Sequence, residues 1–184
     1  MKRIIAFTGS NNPNSIHEKW LRHIIAQHPK EGIEFLDLKA FNVPIYSQGI
    51  EELGIPQKMR ALFQVFSEAD GFIIASPEHN GLPSAFLKNI IDWLSRIDQR
   101  FFGEKPILLL STSPGVTGGR THLNLLAGLV GRWGGELAGQ YSLGSFHQNF
   151  DMNQNVIVDP EVRIQMRSAI SALLNNKKLL STLS

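Results

Sequence analysis

The 184-residue sequence contains no cysteine. That absence removes disulfides, thiolate metal sites and cysteine nucleophiles together. Long hydrophobic runs are missing too. The apolar segment behind Lys2 and Arg3 is too short for a signal-peptide core or a membrane span, so the expected location is cytoplasmic, with no membrane partner. Charge of one sign is scarce: 18 basic against 16 acidic side chains leave a formal net charge of +2. The nearest thing to a basic run is Lys177-Lys178, which reads as a solvated helix end, so no nucleic-acid partner is expected. Several catalytic signatures are absent as well. Without G-x-G-x-x-G, a Gly-Lys-Ser/Thr loop ending or a G-x-S-x-G elbow, a dinucleotide Rossmann site, an NTPase and a serine hydrolase are disfavoured. His17, His23, His28, His122 and His147 lack metal-like spacing and read as surface or structural residues, so no metal is expected.

What is present is alternation. Hydrophobic residues at 42% and charged residues at 18% describe a globular chain, and its length suits one domain, 1–184, better than two. Short apolar runs at 3–8, 33–38, 71–76, 106–112 and 136–141 read as strands. The first, third and fourth are continuous, as strands buried on both faces are. Helical stripes lie between and after them. Ile16, Trp20, Leu21, Ile24 and Ile25 form one; Met59, Leu62, Phe63 and Phe66 follow Pro56; Phe86, Leu87, Ile90, Ile91 and Leu94 form the next. Leu123, Leu126, Ala127 and Val130 precede a last stripe of Val162, Met166, Ile170 and Leu173. The fold class is therefore α/β, and of the two common strand orders for five such units the length favours the flavodoxin-like one: a three-layer sandwich around a five-stranded parallel sheet of order 2-1-3-4-5. That order places ligands beyond the carboxyl ends of the strands at the switch point. The loops after strands 1, 3 and 4 are then expected to be special, and the loop after strand 2 ordinary.

Those three loops are unusual. After strand 1, "TGSNNPNSIHE" (8–18) is rich in hydroxyls and amides and enters a helix N-terminus, a place for phosphate without lysine. Ser15 with Glu18 also fits a capping box, which needs no ligand. After strand 3, Pro77, Asn80-Gly81 and Pro83 or Ser84 satisfy turn and helix-start chemistry, but Glu78, His79 and Asn80 are not explained by it. After strand 4, "STSPGVTGGRTH" (111–122) carries three glycines that permit close approach of backbone to a ligand. An aromatic, phosphate-bearing ligand suits the set.

The stretch "SPEHNGLPSAFLKNIIDWLSR" (76–96) is similar to the S-P-E-Y-N and L-K-N-x-x-D-W elements of the NADPH-dependent FMN reductases, a group with quinone, chromate and azo-dye reductases. "GSNNPNS" resembles that family's phosphate loop and "SPGVTGG" its glycine loop; milder similarity covers 36–49 and 146–166. The resemblance implies a homodimer or homotetramer with one FMN per subunit, and NADPH or NADH as hydride donor. It places the FMN phosphate at Ser10, Asn12, Asn14, Ser15 and Ile16. One ring edge falls to Pro77, Glu78, His79, Asn80 and Gly81, and the other lies near Ser113 and Gly115. Two positions depart from the pattern. Asn12 stands where arginine is usual, removing a phosphate salt bridge, and His79 replaces a tyrosine; both read as tuning. Trp93, beside the stripe of the motif helix, suggests either a subunit interface or core packing.

The implied activity passes hydride from NAD(P)H to FMN and electrons on to a small acceptor: quinone, flavin, azo compound or metal oxyanion. It obliges no catalytic side chain; His79 has two readings, proton donor to a quinone, a role open to histidine as a residue type, or a plain hydrogen-bonding and packing group. The alternatives are a non-enzymatic flavodoxin-like electron carrier and an FMN-binding regulatory module.

Overall fold

Strand residues alternate between two buried faces, which is why their sequences are apolar throughout. Ile5, Phe7, Phe72, Ile74, Ile107 and Leu109 enter one core, while Ile4, Ala6, Ile73, Ala75, Leu108 and Leu110 enter the other. The computed structural model describes residues 2–175, so Lys177-Lys178 lies outside them. Along the chain come β1 (Ile4–Thr8), α1 (Ile16–Ala26), β2 (Ile33–Leu36), α2 (Gln48–Glu51), α3 (Gln57–Ser67) and β3 (Gly71–Ala75). A hairpin of β4 (Glu78–His79) and β5 (Leu82–Pro83) leads into α4 (Ala85–Ile97), β6 (Lys105–Thr112), α5 (Arg120–Val130) and β7 (Gly135–Leu143). The chain closes with α6 (Phe146–Asn149), β8 (Phe150–Asp151), β9 (Val156–Ile157) and α7 (Pro160–Leu174). The main sheet is parallel in the order β2-β1-β3-β6-β7, the expected 2-1-3-4-5. Helices α3, α4 and α5 cover the first face; α1 and α7 cover the second.

The connection after β2 is a structural segment that folds back on α4. Asp37 caps a 3-10 turn over Leu38–Phe41, and the chain then lies along Asn89 and Trp93. Asn89 Nδ2 donates to the Val43 and Pro44 carbonyls, and its Oδ1 accepts from Tyr46 N–H at 2.8 Å. Trp93 is fully buried, with Nε1 donating to the Pro44 carbonyl at 2.9 Å and the ring edge-on to Tyr46. Of the two readings of Trp93, the structure therefore supports packing within the chain. An indole this enclosed carries no argument for a subunit interface.

Candidate active site

Three connections meet at the carboxyl ends of β1, β3 and β6. The first, between β1 and α1, is ordered by its own side chains. Ser10 N–H donates to Thr8 Oγ1 (3.2 Å), Asn12 N–H to Ser10 Oγ (3.3 Å) and Asn14 N–H to Asn12 Oδ1 (2.9 Å). Ser15 caps α1 by accepting from Glu18 N–H at 3.3 Å. The reciprocal half of a capping box is not formed. Ser15 N–H goes to the Asn12 carbonyl, and the Glu18 carboxylate holds Arg22 and Lys39 at 2.9 and 2.8 Å. Among the described residues, the N–H groups of Ile16 and His17 are left without an acceptor. The Ser10 and Ser15 hydroxyls each accept one bond and keep a proton to donate.

The second wall is the β4–β5 hairpin. Its two central residues, Asn80 (φ 54°) and Gly81 (φ 77°), both take the left-handed conformation that a two-residue type I′ turn requires. Buried Pro77 leads into it and exposed His79 faces away from the core. Ser84 caps α4 by accepting from Leu87 N–H (3.0 Å) and donates to the Gly9 carbonyl at 2.5 Å, tying this wall to the first.

The third wall precedes α5. Gly119 is its N-cap, in the left-handed region at φ 79°, where a Cβ would collide with Ser111 Oγ. Glycine has no side chain to cap the helix, and the hairpin supplies one: Glu78 Oε2 accepts from His122 N–H at 3.0 Å. The His122 ring is fully buried, and Nδ1 lies 2.7 Å from the Gly119 carbonyl. A carbonyl only accepts, so Nδ1 carries the proton. Burial lowers the His122 pKa, against the pull of the Gly119 carbonyl and Glu78.

His17 completes the cross-ties. Its Nε2 accepts from Thr112 N–H at 3.3 Å, linking α1 to the end of β6. Burial pushes its pKa down to about 3, helped by nearby His122 and His79 and opposed by a hydrogen bond to the Ser76 main chain. Three buried polar atoms at this end of the sheet, Ser76 Oγ, Ser111 Oγ and His122 Nε2, have no partner among the described residues. Such groups are retained where a ligand or water meets them.

The family model for NADPH-dependent FMN reductase matches residues 2–148. The chain belongs to that family. It is 35% identical over 128 residues to an NADPH:quinone oxidoreductase of Arabidopsis thaliana, covering 67% of this chain and 64% of that protein. It is 39% identical over 79 residues to a quinone reductase of Escherichia coli, covering 42% of each. In three dimensions it is similar to FerB, a flavoenzyme NAD(P)H:(acceptor) oxidoreductase from Paracoccus denitrificans, with TM-score 0.77, 19% identity, and 95% and 96% of the two chains covered. At that identity the likeness speaks for the fold.

Whether this family member suits FMN is answered by its three walls. Free N–H groups at the head of α1 and two hydroxyls suit a phosphate of the kind that helix N-termini hold. The hairpin main chain faces it across the Ser84–Gly9 tie, and unpartnered Ser76 and Ser111 lie below. The residues fit the group. The residues expected from sequence are all on these walls, and several of them are already engaged. Asn12 builds the turn that Asn14 and Ser15 follow, and Glu78 caps α5. Ser113 Oγ donates to the Gly115 carbonyl at 3.0 Å, and that carbonyl also accepts from Ser145 N–H, so this pair forms a seam with the segment before α6. His17, His122 and the Ser84–Gly9 bond were not legible. Thr112 for His17, Glu78 for the His122 N–H and Gly9 for Ser84 all come from distant segments, and no local pattern announces them.

Proposed function

We propose that this member of the family is an FMN-dependent oxidoreductase that uses NADPH or NADH to reduce a small acceptor such as a quinone, flavin, azo compound or metal oxyanion. One observation carries the reading: an unpaired α1 N-terminus, the Asn80-Gly81 hairpin and the glycine turn before α5 converge at the switch point of the sheet. Bound FMN would supply the redox chemistry, accepting hydride from the nicotinamide and passing electrons on.

The chain's part is to bind and orient. Ser10, Asn14 and Ser15, with the N–H groups of Ile16 and His17, would hold the phosphate in the positive field of the helix end. Asn12 would act by shaping that loop. The main chain of Pro77–Gly81 would meet one edge of the ring, and Ser113 and Gly115 would lie toward the other. Fixed N–H dipoles there favour the electron-rich form of the cofactor. Exposed His79 faces the side an acceptor would enter.

A homodimer or homotetramer belongs to the same proposal. Ile45 (81% exposed), Leu53 (87%) and Val116 (83%) lie on connections that leave this end of the sheet, an apolar rim suited to a second copy.

The test is an absorbance spectrum after mixing with FMN and desalting, followed by anaerobic NADPH. Retained flavin bands that bleach are the expected result. Bands that persist without bleaching favour the carrier or binding module, and no retained flavin overturns the site.

A further inference from the structure

A cavity of about 380 Å³ lies between α1, β9 and α7, away from the strand-end site and independent of it. That volume is within the roughly 300–1,000 Å³ of small-ligand pockets. Its floor is aliphatic. Ile24, Ile157 and Met166 are nearly fully buried beneath it. His23 lines the inner wall, edge-on to Phe150, with its Nδ1 lacking a hydrogen-bond partner among the described residues. The mouth is cationic. Arg163 and Arg167 line it from one face of α7, a turn apart, about 6 Å along the helix axis.

These two arginines differ from several others in the chain. Arg3, Arg22, Arg96 and Arg100 each hold a carboxylate. Among the described residues, Arg163 and Arg167 have no ion-pair or side-chain hydrogen-bond partner; Arg60, Arg120 and Arg132 have none either, but Arg163 and Arg167 are the two that stand a turn apart at this cavity. The acids at the head of α7 do not serve them: Asp159 caps Glu161 N–H, and neither carboxylate forms an ion pair with these arginines. Like charges four residues apart on a helix repel, and the repulsion persists unless an anion sits between them.

We propose that this cavity is a binding site for a medium-chain aliphatic monocarboxylate. The head pairs with the Arg163 and Arg167 guanidiniums, whose planar forks match a carboxylate. The chain lies over Ile24, Ile157 and Met166. The aliphatic lining and single charged end select that shape over an inorganic anion, which leaves the floor wet, and over an uncharged lipid, which leaves the arginines unpaired.

Calorimetric titration of the full chain with octanoate, with and without added FMN, tests this. Saturable one-to-one binding is expected, unaffected by FMN, whether or not the flavin site is real. Octanamide is expected to bind about tenfold more weakly and acetate not measurably, since the first lacks the charge and the second the chain. The double variant Arg163→Gln, Arg167→Gln is expected to lose about tenfold for octanoate; both positions are exposed and glutamine keeps the helix, so an unchanged thermal melt serves as the folding control. Equal affinity for octanamide, an unchanged double variant, displacement by FMN, or no saturable heat would each overturn the site. So would a double variant whose mass in solution falls, because the arginines would then belong to a contact between copies.

Discussion

Glu78 shows how one side chain can join two walls of the candidate site. It stands in the hairpin that reads as a ligand rim, yet its carboxylate is directed to the His122 N–H at the head of α5. A negative charge there replaces the cap that Gly119 cannot provide, and it fixes the second wall to the third. Glu78→Ala is expected to lower unfolding free energy by about 1–2 kcal/mol, with Glu78→Gln losing less because it keeps an acceptor oxygen. Urea titrations of the three proteins give the answer; an alanine variant as stable as the parent would show that the bond contributes nothing. The turn at Asn80-Gly81 was legible from its dipeptide, since few other residues tolerate two consecutive positive φ angles. The partner of Glu78 was not, because it lies 44 residues further on.

At the scale of the element, α1 joins the site to the core. Its N-terminus offers free N–H groups, its stripe of Trp20, Leu21 and Ile24 packs on the sheet, and His17 reaches across to the end of β6. That histidine makes α1 docking depend on pH. Its ordinary pKa is near 6.5 and its folded value about 3, so the unfolded chain binds the proton first as pH falls. The stabilisation is present above about pH 6.5 and is lost toward pH 3, at up to about 1.4 kcal/mol per pH unit. His122, also shifted downward by burial, adds in the same direction. In His17→Gln the amide oxygen can accept the Thr112 N–H without titrating. Unfolding free energies at pH 7 and pH 5 are therefore expected to differ less in the variant than in the parent. Equal differences would sink the assignment.

For the whole molecule, burial on both faces explains both the apolar strand runs and the strength of the fold reading. The first core gathers Phe7, Phe66, Phe72 and Phe102 in mutual ring contacts, while the second closes under α1 and α7. Among the described residues, no helix is long and apolar enough to cross a membrane. Ile45, Leu53 and Val116 are the most exposed large apolar side chains among the described residues. Light scattering at micromolar concentration is expected to give the mass of two or four chains, and a single-chain mass would rule out the oligomer.

Strand positions, helix stripes, sheet order and the three loops at the switch point were determined by the sequence alone. Each rests on local periodicity or on residues with restricted backbone preferences, which a chain displays before it folds. The path of the loop after β2 was not legible, because its Val43, Pro44 and Tyr46 carry no local sign that Asn89 and Trp93 will bind them. Tertiary structure alone decided that Trp93 is core, that Glu78 is a cap, that His17 ties α1 to β6, that the His122 ring is buried, and that two unpaired arginines flank an apolar cavity. The physical reason is common to all of them. Burial and hydrogen-bond pairing are properties of what a residue meets, and here the partners arrive from distant segments of the chain.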